Sequence, residues 1–124
     1  MTVQELYEKI GGSYETVKSQ MLKDDLIHRF VLKFLNDKSY SYLADAVNSQ
    51  NYEEAFKAAH TLKGVTLNLS FKKLSNSVCE LTEFLRNKNN EQVDKPACDE
   101  LMKLVTIDYN EVVNAINAYA FECQ

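Results

Sequence analysis

The chain has 124 residues, 45% hydrophobic and 26% charged, with a net charge of -4. This fits one globular domain, residues 1–124, with a single core, and excludes a disordered chain and a disulfide scaffold. The acidic balance argues against nucleic acid and against a membrane surface as partners, and no apolar run approaches the roughly 20 residues of a membrane span.

The opening Met1-Thr2-Val3-Gln4-Glu5 lacks a basic-then-apolar signal segment. Cys79, Cys98 and Cys123 are odd in number and form no CxxC pair, as expected of reduced thiols in a cytoplasmic protein. Only three glycines and one proline are present, too few for the turns of a β protein. The expected fold class is all-α.

Thr2 begins the first helix, with Glu5 completing a capping box, and Gly11-Gly12 stops it. A loosely helical stretch, Ser13 to Met21, follows. Asp24 is placed to cap the next segment, where Leu26, Ile27, Phe30, Val31, Phe34 and Leu35 form a wide apolar stripe. The phase continues through Tyr40, Leu43, Ala44 and Val47, so the pattern predicts one long helix from Asp25 to Ser49, loosened at Asn36–Ser39. Asn51 caps the following helix and Ser70 the one after it. That one carries Phe71, Leu74, Val78, Leu81 and Leu85 at spacings of three and four. Asn87 to Asp94 reads as a loop, and Pro96 sits at a helix start where its missing N–H costs nothing. The last helix shows Cys98, Leu101, Val105, Tyr109, Val112, Ile116 and Tyr119. Four long amphipathic helices with short connections predict an up-down-up-down four-helix bundle. A short N-terminal helix is expected across one end.

The helix after Asn51 holds the chemistry. With His60 set at zero on a helical wheel, Ala55, Ala58, Leu62, Val65 and Leu69 cluster on the opposite side. That side is the predicted core face, so His60 points to solvent. Lys63 and Gly64 are its i+3 and i+4 neighbours, Phe56 lies one turn before and Leu67 two turns after. A mid-helix glycine costs roughly 1 kcal/mol relative to alanine. On a solvent face, a second body approaching the backbone beside His60 accounts for Gly64. Phe56 and Leu67 supply the apolar part of that contact, unless they are simply half-buried at the bundle edge. An imidazole is largely neutral at cellular pH and can act as a nucleophile. A phosphoryl group on it brings about -1.5 to -2 charges, which a nearby lysine partly neutralises.

Ala59-His60-Thr61-Leu62-Lys63-Gly64, followed by Asn68-Leu69, resembles the signature of histidine-containing phosphotransfer (HPt) domains. The resemblance covers most of the chain. It implies a four-helix bundle that exchanges a phosphoryl group with aspartates of response-regulator receiver domains or a hybrid sensor histidine kinase. His60 is then the phosphoacceptor, Lys63 steadies the phosphoryl oxygens and Gly64 leaves room for the receiver. Two departures stand out: Leu67 replaces an often small residue and Ser70 replaces a glycine. Phe56, Lys57 and Leu67 are the expected docking residues, the lysines meeting the acidic pocket of a receiver. The chain itself is expected to need no cofactor, with Mg²⁺ only in the partner's receiver domain.

Two other classes compete. One is a helical interaction module that binds receivers or other signalling proteins without transferring phosphate. The other is a metal- or haem-binding bundle, which needs inward-facing ligands. His28 lies near Asp24 and Asp25, but a surface ion pair is the plainer expectation, and the cysteines have no ligand spacing. No Gly-rich nucleotide loop is present, so the chain is expected to be a phosphocarrier rather than a self-phosphorylating enzyme. The Met1 start suggests a free-standing protein, and a monomer is the default.

Overall fold

The computed structural model of the chain describes residues 1–122. Cys123, the third cysteine, lies outside them. Among the described residues there are helices and no strands: α1 Val3–Lys9, α2 Tyr14–Met21, α3 Asp24–Phe34, α4 Ser39–Asn48, α5 Tyr52–Asn68, α6 Lys72–Leu85 and α7 Lys95–Glu122. A 3-10 turn, Asn90–Gln92, sits in the predicted loop.

Helix starts follow local side-chain chemistry. The Thr2–Glu5 capping box forms as expected, and the Asn51 side chain accepts the Glu54 N–H. Asp24 differs: it is the first residue of α3, and its carboxylate takes hydrogen bonds from the Tyr14 hydroxyl and Lys18. The expected helix from Asp25 to Ser49 is fully broken. Three tight bonds, ending with the Asp37 N–H on the Phe34 carbonyl, wind up α3. The Asp37 carboxylate then accepts the Ser39 N–H and hydroxyl and starts α4. A short polar side chain here offers the backbone a local alternative to the helix, and it wins over the continuous apolar phase.

Helix ends use one device three times. α1, α4 and α5 close in Schellman turns, with a left-handed residue just past each helix: Gly11, Gln50 and Ser70. Ser70 is therefore not the N-cap of α6; that place is taken by Phe71, which makes no side-chain cap. Ser70 has φ +57, its hydroxyl oxygen is buried without a partner, and its carbonyl accepts the Ser13 N–H.

α4 packs on α5, α5 on α6, α6 on α7, and α7 back on α4. Lys73 at the start of α6 reaches Asp108 and Glu111 in the middle of α7. Tyr40 at the start of α4 stacks on Tyr109, with ring centroids 3.8 Å apart. Just past the end of α4 the Tyr52 N–H donates to Asn90, shortly before α7 begins, so α4 and α7 run antiparallel, and the short connection from the end of α6 to the start of α7 makes that pair antiparallel too. α7 outruns the other three. Its far end is covered by the N-terminal helices, through His28 hydrogen-bonded to Tyr119 and the Met1 amine on Glu122. Three helices, α1 to α3, thus occupy the end where a single short one was expected. The predicted α6 stripe is buried throughout: Phe71, Leu74, Val78, Leu81 and Leu85. Cys98 is also in the core, and burial pushes its thiol up to about 11, which makes it an inert packing residue.

Replacing Ser70 by glycine should remove both the left-handed strain and the unpartnered hydroxyl. Urea denaturation of Ser70→Gly should show a gain of about 1 kcal/mol. Leu62→Ala, at a fully buried position of α5, should cost about 2–5 kcal/mol in the same assay.

Candidate functional site

The inward face of α5 is Ala55, Ala59, Leu62, Thr66 and Leu69. It is rotated toward α6 relative to the sequence expectation: Ala58 and Val65 are only half-buried, and Ala59 and Thr66 are buried instead. Thr66 reads as polar in sequence. Its hydroxyl bonds back to the Leu62 and Lys63 carbonyls, so it enters the core with its hydrogen bond satisfied.

The rotation leaves His60 exposed. Phe56, half-buried one turn earlier, tilts its ring toward the imidazole at a centroid separation of 6.0 Å. A Cβ placed on Gly64 meets no atom within 4 Å. No neighbour in the chain therefore demands a glycine there, and the bare backbone opens only to solvent. Lys57 and Thr61 border the same shallow depression as Phe56 and His60. Lys57 also pairs with Glu54 at 3.2 Å. Leu67 is 49% exposed at the far end of the helix.

α6 contributes two residues to this site that the sequence did not single out. Arg86, immediately past α6, lines the depression beside His60 and lies over the Phe56 ring, 5.3 Å from its centroid. Its guanidinium is held by Glu83 through two hydrogen bonds of 2.9 and 3.0 Å. Lys63 reaches across to the same carboxylate at 3.9 Å. Arg86's hydrogen bond, with the charges of Arg86, Lys63 and His60 adding to it, holds the Glu83 carboxyl below its usual range. Sequence carried one trace of this: Glu83 and Arg86 stand three apart on one helix face. That they meet His60 follows only from the rotation of α5 against α6.

Near the C-terminal half of α5 lies a mostly apolar groove of about 410 Å³, formed with α2 and α3. Phe30, 41% exposed, and Lys33 line it together with Val65, Asn68 and Leu69. Phe30 and Lys33 belong to α3, while α4, the helix immediately before α5, brings Tyr42 and Asp45 beside Lys57 and Thr61.

His28 does not form the expected surface ion pair with Asp24. It is half-buried and hydrogen-bonded through Nδ1 to the Tyr119 hydroxyl, while Asp24 is taken by Tyr14 and Lys18. Among the described residues, no three His, Cys, Asp or Glu side chains gather to hold a metal ion. No described helix is long and apolar enough to cross a membrane.

Since nothing packs around Gly64, Gly64→Ala should fit without a clash. It should raise stability by about 1 kcal/mol through helix propensity alone, read as a higher denaturation midpoint.

The family model described as Hpt domain matches residues 37–117. No curated protein and no solved structure matched the chain.

Proposed function

The chain belongs to the Hpt domain family, whose members perform histidine phosphotransfer in phosphorelays, and from that premise we propose that His60 is the residue that carries the phosphoryl group. One receiver domain donates from its aspartyl phosphate, and His60 passes the group to the aspartate of another. One observation carries the reading: an exposed imidazole stands beside an open helix backbone at Gly64, with Lys63 and Arg86 in the same neighbourhood.

In the accepting step a lone pair on an imidazole nitrogen forms the N–P bond. The P–O bond to the receiver aspartate breaks, and its electron pair stays on that carboxylate. The proton on the other ring nitrogen leaves to water. Delivery to the second aspartate is the reverse. The chain contributes the nucleophile and nearby positive charge, while Mg²⁺ and the acidic pocket belong to the receiver. Gly64 lets the receiver's active site approach the helix. Phe56, Lys57 and Leu67 form the docking rim, continued by Phe30 and Lys33 on α3.

Incubation with a phosphorylated receiver domain should place an acid-labile label on the wild-type chain and none on His60→Gln. Label that persists in the variant would refute the assignment. Receiver binding without any transfer, unchanged in His60→Gln, would indicate an interaction module instead. Lys63→Ala should slow transfer roughly tenfold, a loss of about 1.4 kcal/mol in transition-state stabilisation. Its effect on receiver affinity, measured by titration, should be smaller. Gly64→Gln should abolish docking while leaving the fold intact.

A further inference from the structure

We propose that Glu83 is a resident anion that occupies the cations of the site while His60 is unmodified, gives Arg86 up to a phosphoryl group, and so sets how strongly His60 holds that group. This rests on the carrier reading of His60 and assigns a residue that governs its phosphoryl-transfer equilibrium.

The geometry has three parts. Glu83 binds Arg86 through a bidentate pair and stands 3.9 Å from Lys63. Arg86 lines the depression that contains His60. Its backbone is extended, at φ −61 and ψ 131, where α6 has ended, and its side chain is 39% exposed. Among the described residues its side chain is held by the Phe56 ring and Glu83 at the surface, so it can swing without disturbing the core.

A guanidinium fork that fits a carboxylate fits two phosphoryl oxygens equally well. A phosphoryl group on His60 would bring about 1.5 to 2 negative charges next to a carboxylate of the same sign. The two anions then compete for one guanidinium, and the more highly charged one wins it. Because exposed ion pairs are weak, the exchange is easy in both directions. A carrier needs this reversibility, since it must also release the group. Glu83 acts through Arg86 and Lys63 and touches no reacting atom, so it is a positioning residue.

Phosphoramidate serves as a partner-free phosphoryl donor. Its N–P bond breaks as the bond to His60 forms, and ammonia leaves with the electron pair and takes up the released proton. At a fixed ratio of phosphoramidate to ammonium, the equilibrium fraction of phosphorylated chain is read by intact mass. The second ionisation of the attached group is followed by phosphorus NMR. Glu83→Gln should raise the equilibrium constant about two- to fivefold and lower the pH at which the phosphoryl group becomes a dianion, because freed cations favour that form. Arg86→Ala should shift both readouts the opposite way. The double variant should lose the gain of Glu83→Gln. Circular dichroism should stay unchanged, because both side chains are at the surface. Label at His60 with an equilibrium and ionisation unaffected or weakened in Glu83→Gln would overturn the proposal alone. A wild-type chain labelled no more than His60→Gln would overturn the carrier reading, and this proposal with it.

Discussion

The contact between α5 and α6 decides what this surface can do. α5 is flanked by α4 on one side and α6 on the other, so only part of its circumference is left to solvent as a strip along its length. Which residues occupy that strip depends on the rotation of the helix about its axis. Here Ala59 and Thr66 turn inward beside Leu62, and the small Ala59 allows close approach of the neighbouring helix. The strip that remains contains Phe56, His60, Gly64 and Leu67, spaced so that they follow one another along a single face. The same rotation directs Lys63 sideways to Glu83 rather than straight outward. Exposure of the imidazole and the company it keeps thus have one cause.

The Schellman turns extend that control to the neighbouring helices. Each reverses the chain within a few residues, so that α5 returns antiparallel along α4 and α6 along α5. Antiparallel return brings the end of α6 back past the middle of α5, which is how Arg86 arrives near His60. Two of these turns place Gln50 and Ser70 in a left-handed conformation that glycine adopts more easily. At Ser70 the surroundings enforce it. Its carbonyl is tied to the Ser13 N–H, and the Tyr7 hydroxyl donates to the preceding Leu69 carbonyl at 2.8 Å. The N-terminal helices therefore fasten the hinge between the two helices that build the site.

Local features were legible in the sequence because their causes are local. The Thr2 and Asn51 caps, the Gly11 stop and the apolar stripes of α6 and α7 each depend on residues a few positions apart. Sequence and structure part where one residue type serves two purposes. Serine caps helix starts by its side chain, so the sequence points to Ser70 as a cap, yet its backbone closes the helix before. Thr66 counted as polar because its intrahelical hydrogen bonds are invisible in a string of letters. The sequence pattern shows the break at Asp37 only as a loosening, because the apolar phase on its two sides happens to match. At the site, His60, Lys63 and Gly64 could be read from one helix. Glu83 and Arg86 could not, because their nearness depends on the rotation of two helices against each other. His28 is hidden from the sequence for a similar reason: its partner Tyr119 lies at the far end of the chain.

An exposed site also limits what charge can achieve. Water screens each ion pair around His60, so no single cation there binds a phosphoryl group strongly. For a carrier this is a suitable condition. A buried, strongly cationic cradle would stabilise the phosphorylated state and trap it. If His60 carries the group as proposed, a weakly charged surface leaves the larger part of transition-state stabilisation to the docking receiver, which excludes water only while bound. The open backbone at Gly64 then matters more than any added charge, since it governs how closely that partner can approach. On this view the helix gives up some of its own stability at Gly64 so that the chemistry can be completed between two proteins rather than within one.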